Sequence, residues 1–303
     1  MDRTACVVVT YNRKEELLKY LTSAFSQTEP PEFIFVVDNY GKDGAKEFLT
    51  KHGVPTERTE FLYPETNIGG AGGFELGLSE AVGRGFEWVI LMDDDGRAKN
   101  QDCFARLFSQ VKAQGLTAED KVFFNALVSV DGETLSFGLG RTELVSQLPK
   151  KEFLNGLVNP FNGTLVSVGL TKKIGFPNGK FFIKGDEVDY ELRAKRAGAI
   201  VGTVRSAEYY HPAPSGKRKG KLFGREFYLY SEAPWKEYYA VRNYTYSLLQ
   251  SGEKGAKRKA RLFYYKRLYS ARKLSENYFA AKRMIKLGYR HGKKGILGGT
   301  VSP

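Results

Sequence analysis

Short, continuous apolar runs alternate with longer amphipathic segments over the first hundred residues, and this alternation constrains the fold more than any other feature. Uninterrupted apolar runs are typical of strands buried on both faces of a parallel sheet. The segments between them have the apolar spacing of helices. The order predicts an α/β fold with a mostly parallel, Rossmann-like sheet flanked by helices. The predicted strands are 5–10, 33–37, 58–63 and 87–92, and the predicted helices are 14–27, 43–52 and 72–85.

The pattern becomes less regular after residue 100. The segment 211–224 is rich in Pro, Gly, Ser and Lys, which is typical of a hinge or a lid. We expect one domain over 1–215, with halves 1–100 and 101–215, and a mainly helical C-terminal region over 216–303. Between residues 101 and 210 the sequence predicts helices at 103–114 and 186–197, and strands at 121–130, 134–137, 181–184 and 199–204.

The net charge of +13 is distributed unevenly along the chain. Residues 216–303 contain 22 Lys and Arg against 5 Asp and Glu, whereas residues 1–215 contain 25 against 29. This asymmetry indicates two functional zones. Two cysteines far apart do not form a disulfide framework, and no run of 18 apolar residues occurs. We therefore expect a cytoplasmic protein that does not span a membrane.

The sharpest local feature is the acidic triplet Asp93-Asp94-Asp95, directly after a predicted buried strand. Ligands of open parallel sheets bind just beyond the carboxyl ends of the strands. Adjacent carboxylates repel one another, and their oxygens suit a hard cation such as Mg²⁺ or Mn²⁺. Such an ion would neutralise a diphosphate leaving group. The alternative is a solvated acidic turn, and the position after a buried strand favours the metal.

A glycine-rich segment, 67–74, opens the third predicted helix. Its backbone N–H groups could approach a phosphate closely, because glycine has no Cβ and a helix N-terminus attracts anions. A flexible connector would have the same composition, so the motif gains weight only from its position before the aspartates. The candidate phosphate-binding residues are Asn67, Gly69, Gly70 and Gly73.

Two further groups leave their interpretation open. Asp186 and Glu187 begin a predicted helix, where acidic residues either complement the helix dipole or serve as a general base for an acceptor hydroxyl. His211 precedes the Pro- and Gly-rich segment. A lone histidine is usually structural, but imidazole beside a carboxylate site is an acceptable Mn²⁺ ligand.

Taken together, the ordered motifs resemble the family 2 glycosyltransferases with the GT-A fold, over about residues 5–215. The segment 7–13, Val-Val-Val-Thr-Tyr-Asn-Arg, resembles that family's first strand and donor-base loop, and 36–39, Val-Val-Asp-Asn, resembles its second strand. Asp93-Asp94-Asp95 resembles the Asp-x-Asp metal motif. The resemblance implies a nucleotide-sugar-binding half at 1–100 and an acceptor-binding half at 101–215. It implies donor contacts from Thr10, Tyr11, Asn12, Arg13, Asp38, Asn39, Asp93 and Asp94.

Within the family, Asn-Ile-Gly-Gly-Ala-Gly-Gly-Phe and Met-Asp-Asp-Asp resemble the galactofuranosyltransferase and rhamnosyltransferase branches. The triple aspartate favours UDP-galactofuranose over dTDP-rhamnose as the donor. The resemblance places the general base at Glu187, with Asp186 in reserve, and Mn²⁺ or Mg²⁺ at Asp93, Asp95 and His211. It implies a single in-line displacement that inverts the anomeric centre, on a bacterial cell-surface glycan or lipid-linked acceptor.

The basic C-terminal region interleaves aromatic residues with its charge, as in 263–269. This composition suits an anionic membrane surface and also single-stranded nucleic acid. Segments 234–243 and 289–295 resemble tails of the same transferase branch, which favours the membrane. We expect peripheral association with the inner face of the plasma membrane and no nucleic-acid partner. The rival functions are a nucleotidyltransferase and a non-catalytic glycan- or RNA-binding protein.

Overall fold

The computed structural model describes residues 3–140, 142–213, 218–222 and 225–301. The strands are β1 (Thr4–Thr10), β2 (Phe33–Asp38), β3 (Thr59–Leu62), β4 (Trp88–Asp93), β5 (Arg97–Ala98), β6 (Val122–Ser129), β7 (Thr134–Leu139), β8 (Thr142–Leu144), β9 (Phe153–Asn155), β10 (Asn162–Ser167), β11 (Ile200–Tyr210), β12 (Arg218–Leu222) and β13 (Arg225–Leu229). The helices are α1 (Lys14–Phe25), α2 (Ala45–Lys51), α3 (Gly69–Gly83), α4 (Cys103–Ala113), α5 (Val168–Ile174), α6 (Asp186–Arg196), α7 (Pro234–Gln250), α8 (Ala256–Leu274) and α9 (Tyr278–Lys294).

One large mixed sheet, in the order β3-β2-β1-β4-β10-β6-β11-β5, carries the first two-thirds of the chain. Strands β3, β2, β1 and β4 are parallel, as the sequence predicts. Strand β10 runs antiparallel between β4 and β6, and β6 and β11 are again parallel. The parallel register aligns Thr10 with Asp38 and Val9 with Asp93, so these strand ends meet at one edge.

Both faces of the sheet are covered, which explains the continuous apolar runs. Cys6 and Val8 of β1 face a core completed by α1, α2 and α4. Ala5 and Val7 face a second core completed by α3, α5 and α6. Successive side chains of a strand point to opposite faces, so each must be apolar here. Each fully buried large aliphatic side chain contributes roughly 1.5–3 kcal/mol, and the site is built on this rigid support.

Two local predictions are corrected by the structure. Residues 181–184 do not form a strand; a single 3₁₀ turn (Gly179–Phe181) is followed by irregular backbone. The reason is that Phe182 and Lys184 adopt positive φ angles of 66° and 65°, which no strand accommodates. The segment 211–224, predicted as a loop, contains strand β12, paired antiparallel with β13. Its residues 214–217 and 223–224 lie outside the described chain, and the lid role stays a prediction.

Three long helices follow the β12–β13 hairpin, as expected for the C-terminal region. Helix α9 packs closely on α7, because Gly288 and Gly292 lie directly against α7 backbone; a Cβ at either would be 2.4 Å from the carbonyl oxygens of Tyr238 and Arg242. In the part of the chain that the structure describes, none of the helices combines the length and apolar character that crossing a bilayer requires. The boundary predicted at residue 215 stays a prediction.

Candidate active site

Three neighbouring strands of the parallel sheet end in polar residues at one edge. Thr10 ends β1, Asp38 ends β2 and Asp93 ends β4. Asp38 is 5% exposed and accepts a hydrogen bond from the Gly41 amide at 3.0 Å. Burial is the main cause that raises the pKa of Asp38. This edge is where α/β proteins place their ligands.

The acidic triplet is held by residues from the end of β1. Asp94 Oδ2 accepts a hydrogen bond from Thr10 Oγ1 at 2.8 Å. Arg13 Nη1 lies 3.2 Å from Asp94 Oδ1 and 2.8 Å from Asp95 Oδ2. Burial raises the pKa of Asp94 despite these partners. Arg13 therefore compensates part of the negative charge at this edge.

The last long strand of the sheet, β11, brings His211 to the triplet. His211 Nε2 lies 3.0 Å from Asp95 Oδ1, and the other ring nitrogen contacts the Pro212 carbonyl oxygen at 2.7 Å. Burial alone would raise the pKa of Asp95, but His211 and Arg13 lower it to about 2. Burial and the charge of Asp95 raise the pKa of Asp93 to about 7. The protein alone thus leaves Asp93 poorly compensated.

The donor set at this edge suits a hard divalent cation. Carboxylate oxygens are preferred by Mg²⁺, and carboxylate with imidazole is acceptable to Mn²⁺. Asp95 and His211 are already in contact, and the under-compensated Asp93 is close enough to interact electrostatically with both. Among the described residues, no group of three His, Cys, Asp or Glu side chains has the geometry of a metal site. Asp93, Asp95 and His211 are the residues that would hold such an ion.

The glycine-rich segment is tied to the end of β2 by asparagine side chains. Asn39 Nδ2 donates to Asn67 Oδ1 at 3.0 Å, and Asn39 Oδ1 accepts from the Ile68 amide at 2.9 Å. Asn67 Oδ1 also accepts from the Gly69 amide at 2.9 Å. The Ile68 and Gly69 amides thus have protein acceptors, and a Cβ at Gly73 would lie 2.5 Å from the Val9 side chain. Phosphate contact by these amides stays a prediction.

The acidic pair at the start of α6 lies close to the triplet. Asp186 is 6% exposed, and burial, followed by the charge of Glu187, raises its pKa well above the ordinary value. The charge of Asp93 acts on Asp186, and that of Glu187 acts on Asp93. The triplet and the acidic pair therefore gather five carboxyl groups around one edge of the sheet.

The comparisons with known proteins agree with this geometry. Residues 5–121 match the model of Glycosyl transferase family 2. The chain is 36% identical over 255 residues to galactofuranosyltransferase GlfT1 of Mycobacterium tuberculosis, covering 81% of this chain and 82% of that protein. This chain is a family 2 glycosyltransferase. The similarity to this relative covers 81% of the chain, more than the residues 5–121 that match the family model.

Two further similarities are to a more distant relative and to a solved structure. The glycosyltransferase is 24% identical to dTDP-rhamnosyl transferase RfbF of Shigella flexneri, over 78% of this chain and 77% of that one. The structure of a mannosyltransferase from Pyrobaculum calidifontis in complex with GDP-Man and Mn²⁺ superposes with a TM-score of 0.54 at 12% identity, covering 99% of this chain and 76% of that one. The latter confirms the GT-A fold. Family membership sets aside the nucleotidyltransferase and binding-protein alternatives.

Most residues predicted for the glycosyltransferase site lie together. The ends of β1, β2 and β4 and His211 are linked by strand register and by the contacts above, and the acidic pair interacts electrostatically with Asp93. Asn12 adopts a φ of 54° and accepts from the Lys42 amide at 2.7 Å, so it shapes the loop after β1. Tyr11 is 49% exposed at the same edge. A Cβ at Gly70 would have no atom within 4 Å, unlike a Cβ at its neighbour Gly69.

Sequence reasoning missed two residues that contact this site's framework, Arg242 and Asn243 of α7. Both are completely buried and hydrogen-bond to the backbone that precedes α6. The only signal in the sequence was the resemblance of 234–243 to related tails. A polar Arg-Asn pair in an aromatic-rich helix gives no indication of its partners, which lie about sixty residues earlier.

Proposed function

We propose that this glycosyltransferase transfers galactofuranose from UDP-galactofuranose, with inversion and with a divalent metal, to a bacterial glycan or lipid-linked acceptor. The observation that carries the proposal is the meeting of Asp93, Asp95 and His211 with the acidic start of α6 at the carboxyl edge of the parallel strands. The relatives named galactofuranosyltransferase support the donor. Mn²⁺ in the mannosyltransferase complex supports the metal.

The general base of the proposed reaction is Glu187. Asp186 is buried, and burial, followed by the charge of Glu187, raises its pKa well above the ordinary value. This shift favours the neutral form of Asp186, and a neutral carboxyl group does not accept a proton from an acceptor hydroxyl. Glu187 is less buried, follows Asp186 directly in the first turn of α6, and takes this role.

The remaining residues bind and orient the donor. In this proposal Asp38 and Asn39, at the end of β2, contact the nucleoside, and the loop Thr10–Arg13 borders it. A divalent cation held by Asp93, Asp95 and His211 would supply charge compensation for the departing diphosphate. Arg13, already bridging Asp94 and Asp95, fixes the orientation of these carboxylates. Attack from the face opposite the diphosphate inverts the anomeric centre.

Donor binding by calorimetry with Mn²⁺ tests this proposal. UDP-galactofuranose, dTDP-rhamnose, UDP-galactopyranose and the free diphosphates are compared, with hydrolysis as a second readout. We expect UDP-galactofuranose to bind best and chelation to abolish the preference. Preference for dTDP-rhamnose would replace the donor and keep the fold and site; the relative from Shigella flexneri makes this the second candidate. Absence of nucleotide-sugar binding would overturn the donor proposal.

We also propose that the enzyme is cytoplasmic and docks on the inner face of the plasma membrane through α8 and α9. Neither helix contains Asp or Glu, and together they carry fourteen Lys and Arg. Large apolar side chains lie exposed among these cations: Leu262 is 62%, Tyr265 58% and Phe279 81% exposed. Arg258, Leu262 and Tyr265 follow helical spacing and share one face. Basic charge beside exposed apolar groups suits an anionic lipid surface.

A further inference from the structure

The backbone that leads into α6 has an unusual conformation. Phe182, Lys184 and Gly185 all have positive φ, at 66°, 65° and 82°. The left-handed region is disfavoured for residues with a Cβ, and each such residue costs on the order of 1–3 kcal/mol unless its surroundings hold it. Because α6 begins at Asp186, directly after this turn, the turn sets where Glu187 points. We call residues 180–185 the base loop.

The carbonyl oxygens of the base loop are held from outside by α7. Asn243 Nδ2 donates to the carbonyl oxygens of Phe181, Ile183 and Lys184 at 3.0, 2.9 and 2.7 Å. Arg242 Nη2 donates to the carbonyl oxygen of Phe181 at 2.9 Å and to that of residue 180 at 3.2 Å. A single side-chain amide therefore contacts three carbonyl groups of the loop.

Two other segments are fastened to the same loop. The Ala71 amide, at the start of α3, donates to the Phe182 carbonyl oxygen at 3.0 Å. The Gly298 amide donates to the Lys180 carbonyl oxygen at 2.7 Å, and the Gly298 carbonyl accepts from Arg242 Nη1 at 2.6 Å. The base loop is thus a junction between the glycine-rich segment, the tail helix α7 and the residues after α9.

The energetic cost of this arrangement indicates that it is more than packing. Arg242 is completely buried, and its hydrogen-bond acceptors in the described structure are neutral oxygens. Burial lowers the pKa of Arg242. Burying a guanidinium without a carboxylate carries a desolvation cost. Here the guanidinium binds backbone carbonyls immediately before α6.

We propose that Asn243 and Arg242 are positioning residues of the transferase: the tail helix α7 holds the base loop in the geometry that directs Glu187 to the acceptor hydroxyl. The inference rests on the proposed role of Glu187. It follows that the C-terminal helices complete the catalytic site as well as offering a surface. Misplacing a catalytic group by about 1 Å can lower turnover by about 100-fold.

The test compares Asn243→Ala and Asn243→Asp with a matched control, Ser247→Ala. Ser247 lies one turn further along α7, is 2% exposed, and its hydroxyl has no hydrogen-bond partner in the described structure. We expect kcat to fall about 10- to 100-fold in the Ala variant, with the donor KM within about threefold of wild type. The Asp variant keeps the shape but turns an oxygen toward three carbonyls, so its kcat falls at least as far. Ser247→Ala keeps wild-type kinetics.

Hydrogen exchange of the base-loop amides separates this inference from the donor proposal. The amides of residues 180–186 should exchange faster in Asn243→Ala and not in Ser247→Ala, whichever sugar the enzyme uses. If the wild type does not turn over UDP-galactofuranose, the donor proposal fails. The exchange rates of the base-loop amides would still show whether Asn243 stabilises the loop. Folded Asn243 variants with wild-type kcat and unchanged exchange would overturn the positioning role. A loss of kcat matched by equal losses of donor affinity and thermal stability would reduce it to a structural one.

Discussion

The acidic edge of the sheet and the basic helices α8 and α9 carry opposite charge. In both regions, however, charges of one sign are in excess. At the edge, five carboxyl groups face Arg13 and His211, and the pKa of Asp93 is raised to about 7. Helices α8 and α9 contain cations and no carboxylates of their own. The buried Arg267 of α8, by contrast, is paired with Glu237 of α7 at 2.6 Å. The protein itself thus neutralises the buried charge of Arg267. The carboxylates at the sheet edge and the exposed cations of α8 and α9 are in excess, and we expect external partners to bind at these two surfaces.

The strongest test of this contrast is Glu187→Gln. Removing a general base lowers turnover by about 10²- to 10⁴-fold, and we expect kcat to fall by this factor while the affinity for UDP, measured by calorimetry, is retained. Asp186→Asn should be milder, because burial and the charge of Glu187 raise the pKa of Asp186 and so favour its neutral form. An Asp186 variant that is less active than the Glu187 variant would exchange the two roles.

A second test uses two adjacent glycines. Gly69 has a φ of 72°, and a Cβ there would lie 2.0 Å from the Phe182 carbonyl oxygen, whereas Gly70 has nothing within 4 Å. Gly69→Ala should displace the base loop and α3 together, lowering turnover by about tenfold or more and stability by about 1–3 kcal/mol. Gly70→Ala is the matched control. Equal behaviour of the two variants in kinetics and thermal unfolding would contradict the close approach.

The third test measures the uncompensated carboxylate directly. The folded pKa of Asp93 is about 7, whereas an unfolded Asp titrates near about 3.9. Between these values the folded state binds more protons, so the stability that Asp93 contributes falls as pH rises through this window. In EDTA at pH 8, Asp93→Asn should therefore raise Tm by a few degrees, since each kcal/mol is worth about 2–4 °C.

Added Mn²⁺ should then stabilise the wild type and not the Asp93→Asn variant. A flat pH profile in the wild type, or equal stabilisation of both proteins by Mn²⁺, would show that Asp93 is compensated by the protein itself. The acidic edge would then resemble the balanced Arg267–Glu237 pair, and the contrast with the basic helices would be lost.

The smallest effect on turnover is expected for substitutions on the exposed surface of the basic helix α8. Leu262→Ser with Tyr265→Ser removes exposed apolar surface from α8. Sedimentation with anionic liposomes at low salt should weaken, while kcat with a soluble acceptor stays within about twofold, because surface substitutions rarely disturb a fold. Release of the wild type at high salt checks the electrostatic part. If the wild type does not sediment with anionic liposomes, or if it binds single-stranded RNA tightly instead, the membrane proposal is wrong.

Much of the framework could be predicted from local sequence. Strands β1, β2 and β4 are buried on both faces, so their apolar runs are unambiguous, and their polar ends follow from the chain direction. The acidic triplet and the acidic start of α6 were recognisable because adjacent carboxylates repel one another and therefore need a compensating partner. His211 was placed beside Asp95 by resemblance alone, and the structure puts the two 3.0 Å apart.

The parts that could not be predicted depend on distant contacts. The apolar run near Phe181 looks like a strand, but Asn243 and the Ala71 amide hold the backbone in positive φ instead. Strand β10 was missed because Asn162 to Ser167 is largely polar; several of its polar groups are paired inside the protein, as in the 2.7 Å hydrogen bond from the Thr164 hydroxyl to Asn125 Oδ1. Tertiary hydrogen bonding overrides local pattern at both places.

The fastening of Gly298 to the base loop, together with the 2.7 Å hydrogen bond from Tyr239 to the Val301 carbonyl, bears on how such enzymes can diverge. Because the segment after α9 hydrogen-bonds to the base loop, it cannot be exchanged independently of that loop. Chimeras that graft another transferase's last helices after residue 230 should inherit a mismatched loop, whereas grafts that carry the base loop along with those helices should remain active.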